Sequence, residues 1–327
     1  MTSNQIHHKE KKHTLNMKVL VTGGSGLVGS AVKKLRPDWC YVDSKTYGSL
    51  TEQQNVHNMF VKEGPFDAVV HLAANVGGLF KNMNKRQEMF EDNILMNTFV
   101  LREATRQNVR RVVTMLSTCI FPDGIDELTP SVLHKGPPHP SNEGYAYAKR
   151  VSEVHGRIVR ETSNTWVTCL VPTNVYGPHD NFSLEDAHVV PALIHKAWLA
   201  KQKGEKLKMF GTGVAKRQFI HSDDLARIIV WAVELPENPP TEVVCCSDEE
   251  ITIGHLAELI VGMMNCEGIE YTPGSDGQMR KRAIPGPGNF PRPEVTLGNG
   301  LHETIQWFEK EMEKGKQALR GVLDNEL

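Results

Sequence analysis

Met17-Lys-Val-Leu-Val-Thr-Gly23-Gly-Ser-Gly26-Leu-Val-Gly29 opens on a short apolar run and passes at once into a glycine-rich turn. An apolar strand, a glycine turn and then a helix form the phosphate-holding unit of a parallel α/β sheet. Gly23 permits the tight turn, Gly26 lets a pyrophosphate approach the backbone, and Gly29 lets helix and strand pack closely. Across Gly24, Ser25, Leu27 and Val28 the backbone N–H groups and the positive helix end complete an anion cradle. The spacing is GxxGxxG rather than GxGxxG. Glycine spacing alone matches often by chance, so the strand-turn-helix context carries the reading of a dinucleotide site.

Outward from this turn the chain alternates. Short apolar runs fall at Val19–Val21, Cys40–Val42, Ala68–Leu72, Val112–Leu116 and Val167–Val171. Helix-like stretches lie between them, the clearest being Met89–Ala104 and Ala146–Val159. This alternation predicts an α/β fold, a Rossmann-type doubly wound parallel sheet with helices on both faces. From about Asn181 the rhythm changes. Leu225, Ile228, Ile229 and Ala232 form one helical stripe, and Leu256, Leu259, Ile260 and Met263 another. Asp223 and Thr252 are the expected N-caps of these two helices. A Pro/Gly-rich stretch, Ile284 to Pro293, precedes a final helix expected around Leu301–Leu319. The expected organisation is a disordered tail over 1–16 and a dinucleotide-binding domain over 17–180. A segment near 218–236 returns to that domain, and 181–327 forms a smaller α/β C-terminal substrate lobe.

The 37 Lys plus Arg nearly cancel 39 Asp plus Glu, leaving a formal charge of −2. Near-neutrality argues against nucleic acid or an anionic membrane as the main partner. No run of 18 apolar residues exists, and the first sixteen residues lack a signal-like apolar stretch. The six cysteines show no CxxC pairing, so reduced thiols in a cytoplasmic protein are expected.

Two further features carry chemistry. The second strand ends in Asp43-Ser44-Lys45. An acid there suits a ribose 2′-hydroxyl, as in NAD, and a cation suits the 2′-phosphate of NADP; with both present the motif leaves the choice open. Ser117 follows the Val112–Leu116 strand at its carboxyl end, where open α/β sheets bind ligands. Downstream, Tyr145 and Lys149 stand four apart at a helix start and share one face. An ammonium beside a phenol favours the phenolate, so Lys149 is expected to lower the pKa of Tyr145. Together these groups suit proton transfer at an oxygen whose carbon exchanges hydride with nicotinamide.

With these motifs the sequence resembles the extended, sugar-nucleotide-modifying branch of the short-chain dehydrogenase/reductases. Longer runs are similar to its GDP-L-fucose synthase family: Ser117-Thr-Cys119-Ile-Phe-Pro122, Tyr145-Ala-Tyr-Ala-Lys149, Pro172-Thr-Asn-Val-Tyr-Gly-Pro-His-Asp-Asn-Phe182 and His188-Val-Val-Pro191. His71-Leu-Ala-Ala, Val76-Gly-Gly-Leu79 and Arg217-Gln-Phe-Ile220 add to the match, which spans roughly Met17 to Lys281. The resemblance implies conversion of GDP-4-keto-6-deoxy-D-mannose to GDP-L-fucose, with epimerisation at C3 and C5 and reduction of the C4 ketone by NADPH. It implies Ser117, Tyr145 and Lys149 as catalytic groups, Cys119 as base and His188 as acid. A thiol needs nearby positive charge to act as thiolate. His179 is expected to shape the loop around Pro178. The resemblance places Lys45, Lys149, Pro172, Thr173, Asn174, Val175 and His188 at NADP(H), besides the glycine turn. Lys196, Phe210, Arg217 and Asp276 are placed at the nucleotide sugar, with Lys281 assisting. Phe210 stands where relatives often carry Trp, and after Lys281 the chain departs from the family's polar continuation, reading Arg-Ala-Ile-Pro-Gly-Pro-Gly. A homodimer through Met89–Ala104 and Ala146–Val159 is likewise implied. Rival readings are another nucleotide-sugar 4-reductase, a 4-epimerase, a 4,6-dehydratase, or a non-catalytic dinucleotide sensor. A dehydratase of this type carries a Thr-Asp-Glu run where this chain has Thr118-Cys119-Ile120.

Overall fold

Strand β1 (Val19–Thr22) is buried at every residue, as its unbroken apolar run requires of a central parallel strand. The computed structural model describes residues 17–274, 276, 278–285, 290–314 and 319. The expected tail and residues 286–289 of the Pro/Gly-rich loop lie outside them. Around β1 stand β2 (Cys40–Val42), β3 (Ala68–His71), β4 (Arg111–Met115), β5 (Trp166–Pro172) and β6 (Glu242–Cys245). They form one six-stranded sheet in the order β6-β5-β4-β3-β1-β2, parallel throughout. The order reverses between β1 and β3, and such a reversal opens a crevice at the carboxyl ends of those strands.

Side chains alternate across the sheet with the period of two that a strand imposes. Leu20, Val69, Val112, Val167 and Val171 pack on one face with Phe60 of α2 (Gln53–Glu63) and Val100 of α3 (Arg86–Arg106). Val19, Val21, Val70, Val113 and Leu170 pack on the other with Val32 of α1 (Leu27–Leu35) and the stripe Leu225, Ile228, Ile229 and Ala232. Helix α4 (Glu143–Thr162) lies against α3. Each fully buried Val or Leu contributes about 1.5–3 kcal/mol, so two filled faces fix the sheet register strongly.

Helices α5 (Val189–Lys203), α6 (Ser222–Glu234), α7 (Ile253–Met264) and α8 (Leu297–Glu313) follow. The α6 stripe is as expected, with Leu225, Ile228, Ile229 and Ala232 fully buried. Its cap is not. The imidazole of His221 accepts from the Asp223 N–H at 3.4 Å, so Asp223 lies inside the first turn, where it meets Lys34 at 2.7 Å. Thr252 does cap α7, accepting from His255 N. The stripe of α7 is rotated slightly: Leu256, Ala257, Ile260 and Met264 are buried, while Met263 is exposed. Packing against α5 and α8 selects that face. Helix α8 begins four residues before the expected Leu301 because Thr296 caps it, accepting from Asn299 N at 3.3 Å.

A third apolar cluster contains none of the six sheet strands. It joins α5, α7 and α8 with two short parallel strands, Leu207–Phe210 and Ile269–Thr272. The chain returns to the first sheet further than the expected 218–236, since β6 completes that sheet through Cys245. Strand propensity alone does not tell which sheet a short apolar run such as Glu242–Cys245 joins.

Candidate active site

The glycine turn sits in the crevice between β1 and β3. Gly23 adopts φ +72°, in the left-handed region, and a Cβ there would lie 2.7 Å from the Ala73 nitrogen. A Cβ on Gly29 would run into the Gly23 carbonyl, so helix and turn touch backbone to backbone. Gly26 occupies the N-cap position of α1 and offers no side-chain cap to its first turn. This cradle fits a dinucleotide pyrophosphate. Behind it, the Thr22 hydroxyl meets His71 Nδ1 at 2.8 Å, and His71 Nε2 meets the Asn97 carbonyl oxygen at 3.1 Å. Burial, with Lys149 nearby, holds His71 down to about 3, so this ring is a neutral strut between β1, β3 and α3.

Asp43 and Lys45 are not equivalent. Asp43 Oδ1 accepts from Lys45 N, Thr46 N and the Thr46 hydroxyl, each at 3.1 Å, capping the single turn Ser44–Tyr47. Lys45 is exposed. One carboxylate oxygen is thus engaged by this turn, while the Lys45 ammonium faces outward.

At the end of β4, Ser117 caps a short turn over Thr118–Ile120, its Oγ accepting from Cys119 N at 3.2 Å. Tyr145 and Lys149 lie one turn apart at the start of α4, with Lys149 Nζ 5.8 Å from the Tyr145 ring centroid. Lys149 is almost fully buried, and burial lowers it to about 8. Tyr145 moves opposite to expectation. Burial pushes its phenol up, and Cys119 beside it pushes the same way. Desolvation is the larger cause, and a phenol raised in this way is neutral at ordinary pH.

Cys119 lies among charged and polar groups. Lys281 Nζ stands 3.5 Å from its Sγ, and Arg217 and Tyr145 are close enough to interact electrostatically. His188 stands at the N-cap of α5. Its ring is solvent-accessible, but the dense protein around it and Lys81 hold it below its ordinary value. The segment Val76–Leu79 meets the residues just before His188: Gly78 N donates to Asp186 O at 2.8 Å. Pro172 ends β5, and the Thr173 N–H donates to Cys245 O at 3.0 Å. Asn174 Nδ2 donates to Gln218 O at 2.9 Å, and Val175 pairs with Ile220. These four residues therefore tie β5 to the returning segment at the sheet's carboxyl edge.

Of the residues expected at the nucleotide sugar, Lys196 and Phe210 meet, the ammonium lying 4.9 Å from the ring centroid. Burial lowers Lys196. Asp276 does something else. Its Oδ1 accepts from Thr212 N at 2.8 Å and Gly213 N at 3.1 Å, and Oδ2 accepts from the Thr212 hydroxyl at 2.8 Å. The carboxylate clamps the turn that follows Phe210. Arg217 spends Nη1 on the Lys216 carbonyl at 2.7 Å and Nη2 on the Gln278 carbonyl at 2.6 Å, which limits a forked grip. His179 takes φ +67° and its ring lies 4.7 Å from Trp307, so it shapes its loop as expected.

Spacing does not reveal Gln218. This buried amide donates Nε2 to Ser247 O at 2.8 Å and Ala283 O at 3.1 Å, and accepts from Ala283 N at 2.7 Å. Ala283 is buried against Leu128. Gln218→Leu is expected to leave buried carbonyl and N–H groups unpaired, at about 1–3 kcal/mol each. Urea denaturation measures the loss, and stability within 0.5 kcal/mol of wild type (on the order of a surface change) would contradict the clamp.

Comparison with known proteins gives the family. Residues 19–246 match the NAD dependent epimerase/dehydratase family. A GDP-L-fucose synthase of Dictyostelium discoideum is 42% identical over 307 residues, covering 89% of this chain and 94% of that protein. A probable GDP-L-fucose synthase of Drosophila melanogaster is 36% identical over 315 residues, covering 89% and 97%. The crystal structure of a GDP-L-fucose synthetase from Naegleria fowleri bound to NADP superposes with a TM-score of 0.81 at 37% identity, covering 91% and 94%. The chain belongs to the NAD-dependent epimerase/dehydratase family and, within it, to the GDP-L-fucose synthases.

Proposed function

We propose that this protein converts GDP-4-keto-6-deoxy-D-mannose to GDP-L-fucose, epimerising C3 and C5 and reducing the C4 ketone. The observation that carries the reading is Cys119, a thiol two residues after Ser117 with an ammonium 3.5 Å from its sulfur. A dehydratase needs carboxylates there. NADPH, when bound, supplies the hydride.

Both epimerised carbons flank the ketone, so their protons become acidic once charge developing on the C4 oxygen is stabilised. The Tyr145 phenol, with Ser117, donates hydrogen bonds to that oxygen. Cys119 removes a proton from one face of the ring and His188 returns one to the other. Tyr145 then releases its proton to the C4 oxygen during reduction. Its raised pKa suits a donor that is neutral at the outset. Lys149, buried below it, supplies charge to the phenolate so formed. Lys196 and Arg217 offer cations to a diphosphate, and Phe210, 54% exposed, offers a face to guanine. Asp276 serves this pocket by holding the turn after Phe210.

The glycine turn holds the cofactor pyrophosphate, with Pro172, Thr173, Asn174 and Val175 lining the same crevice edge. With Asp43 engaged in its cap, Lys45 favours a 2′-phosphate. Lys45→Ala is expected to weaken NADPH about tenfold more than NADH, the size of one charge-assisted hydrogen bond; equal loss in titration calorimetry would remove this contact.

We read the active form as a cytoplasmic homodimer. Phe90 and Leu95 on α3 and Tyr147, Val151 and Ile158 on α4 are exposed apolar residues on two packed neighbouring helices, supporting a dimer face. Among the described residues no helix is long and apolar enough to cross a membrane.

The test is to mix purified protein with GDP-4-keto-6-deoxy-D-mannose in deuterated buffer, follow NADPH absorbance and identify the product by NMR. GDP-L-fucose deuterated at C3 and C5, with one NADPH oxidised per product, is expected. Oxidation giving only the unepimerised D-sugar would mean a simple 4-reductase.

A further inference from the structure

Residues 278–285 are tied down on both sides of the site. Gln278 donates Nε2 to Asp123 Oδ1 at 3.1 Å, while its carbonyl accepts from Arg217. Arg280 grips Glu250 through Nε at 2.8 Å and Nη2 at 2.7 Å. Arg282–Ala283 pairs with Glu127–Leu128, Ala283 is held by Gln218, and Ile284 N donates to Leu128 O at 3.1 Å. A segment anchored this way leaves Lys281 little freedom, and it places Nζ against a sulfur 162 residues earlier in the chain.

We propose that Lys281 is a positioning residue for Cys119, its ammonium holding the sulfur where it accepts protons from the sugar. This rests on the reading of Cys119 as the epimerisation base. Three groups face the thiol besides Ser117, whose Oγ accepts from the Cys119 N–H. Tyr145 approaches from α4 as a neutral phenol. Arg217 approaches from the strand Lys216–Arg217 with both Nη atoms held by carbonyls. Lys281 brings a cation within contact of the sulfur itself, and the thiolate is the reactive form.

The protons balance. As the C–H bond breaks, its electron pair passes into the enolate, charge collects on the C4 oxygen and an S–H bond forms. His188 delivers a proton to the opposite face of the same carbon. Two epimerisations then need the base reset between them: the thiol loses its proton to solvent and His188 regains one.

The experiment measures alkylation of Cys119 by iodoacetamide against pH, followed by peptide mass spectrometry, in wild type, Lys281→Met and Lys281→Arg. It is paired with C3/C5 deuterium exchange. Lys281→Met is expected to slow alkylation near pH 7 about tenfold, since a neighbouring cation makes a thiol more reactive, and to slow exchange in parallel, with Lys281→Arg restoring much of both. An unchanged alkylation profile with only a raised KM would make Lys281 a substrate ligand and overturn the proposal, leaving Cys119 as base. Normal exchange in Cys119→Ser would remove the base role itself and the proposal with it.

Discussion

Cys119→Ser is expected to lower solvent-deuterium exchange at C3 and C5 by about 10²–10⁴-fold, the range that a positioned acid or base contributes. A serine hydroxyl keeps the shape and the N-terminal turn on Ser117, but it does not ionise near neutral pH and so accepts no proton from carbon. The rest of the site is untouched by this change. NADPH should bind with wild-type affinity, since Cys119 is no part of the glycine turn. Slow oxidation of NADPH should continue, yielding the unepimerised D-sugar, because Tyr145 and Lys149 remain. NMR of the recovered substrate after incubation without NADPH isolates the exchange. Wild-type exchange in this variant would move the base elsewhere.

Tyr145→Phe is expected to cut NADPH oxidation by about 10²–10⁴-fold, since the C4 oxygen then lacks its proton donor. Exchange at C3 and C5 should fall less, because Ser117 still donates to the enolate oxygen. The pH dependence carries a sign. Burial and the neighbouring Cys119 raise the Tyr145 pKa, so the phenol stays protonated through neutrality. Reduction measured on an epimerised ketone should stay flat with respect to this group up to strongly alkaline pH, and fall only above it. A tyrosine lowered by Lys149 would instead lose the reaction already in the mildly alkaline range. Single-turnover hydride transfer between pH 6 and 10 (roughly four units below the ordinary phenol value and up to it) separates the two cases. Wild-type turnover in Tyr145→Phe would end the donor role.

The two chemical predictions differ in how much of their basis is local. Tyr145 and Lys149 are one helical turn apart, so their shared face follows from periodicity before any coordinates exist. The same holds for the glycine turn, whose left-handed Gly23 and Gly23–Gly29 contact lie within seven residues, and for strands whose apolar runs match β1, β3, β4 and β5 to within one residue. The direction of the Tyr145 shift was not local. A through-space charge is easily read from spacing, whereas desolvation depends on everything packed around the phenol, and desolvation is the largest cause of its upward shift.

Asp43 and Asp276 make the same point about carboxylates. Asp276 stands where a ligand contact was expected and Asp43 where one was left open, and each is taken up by backbone N–H and hydroxyl donors of a nearby or distant turn. The α7 face shows it for packing: periodicity defines a stripe, but α5 and α8 choose which edge of it is buried.

The sequence by itself determined the sheet, the phosphate turn, the Tyr145–Lys149 pair and the family, because each rests on residues close in the chain or on a run of motifs. Only the tertiary structure decided that β6 completes the first sheet, that Gln218 holds Ala283, and that Lys281 meets Cys119. Those contacts join residues tens to more than a hundred positions apart, with |i−j| of 65 for Gln218–Ala283 and 162 for Lys281–Cys119. No periodicity links such positions; they meet because two apolar faces and a third cluster fold the chain back across its own active site.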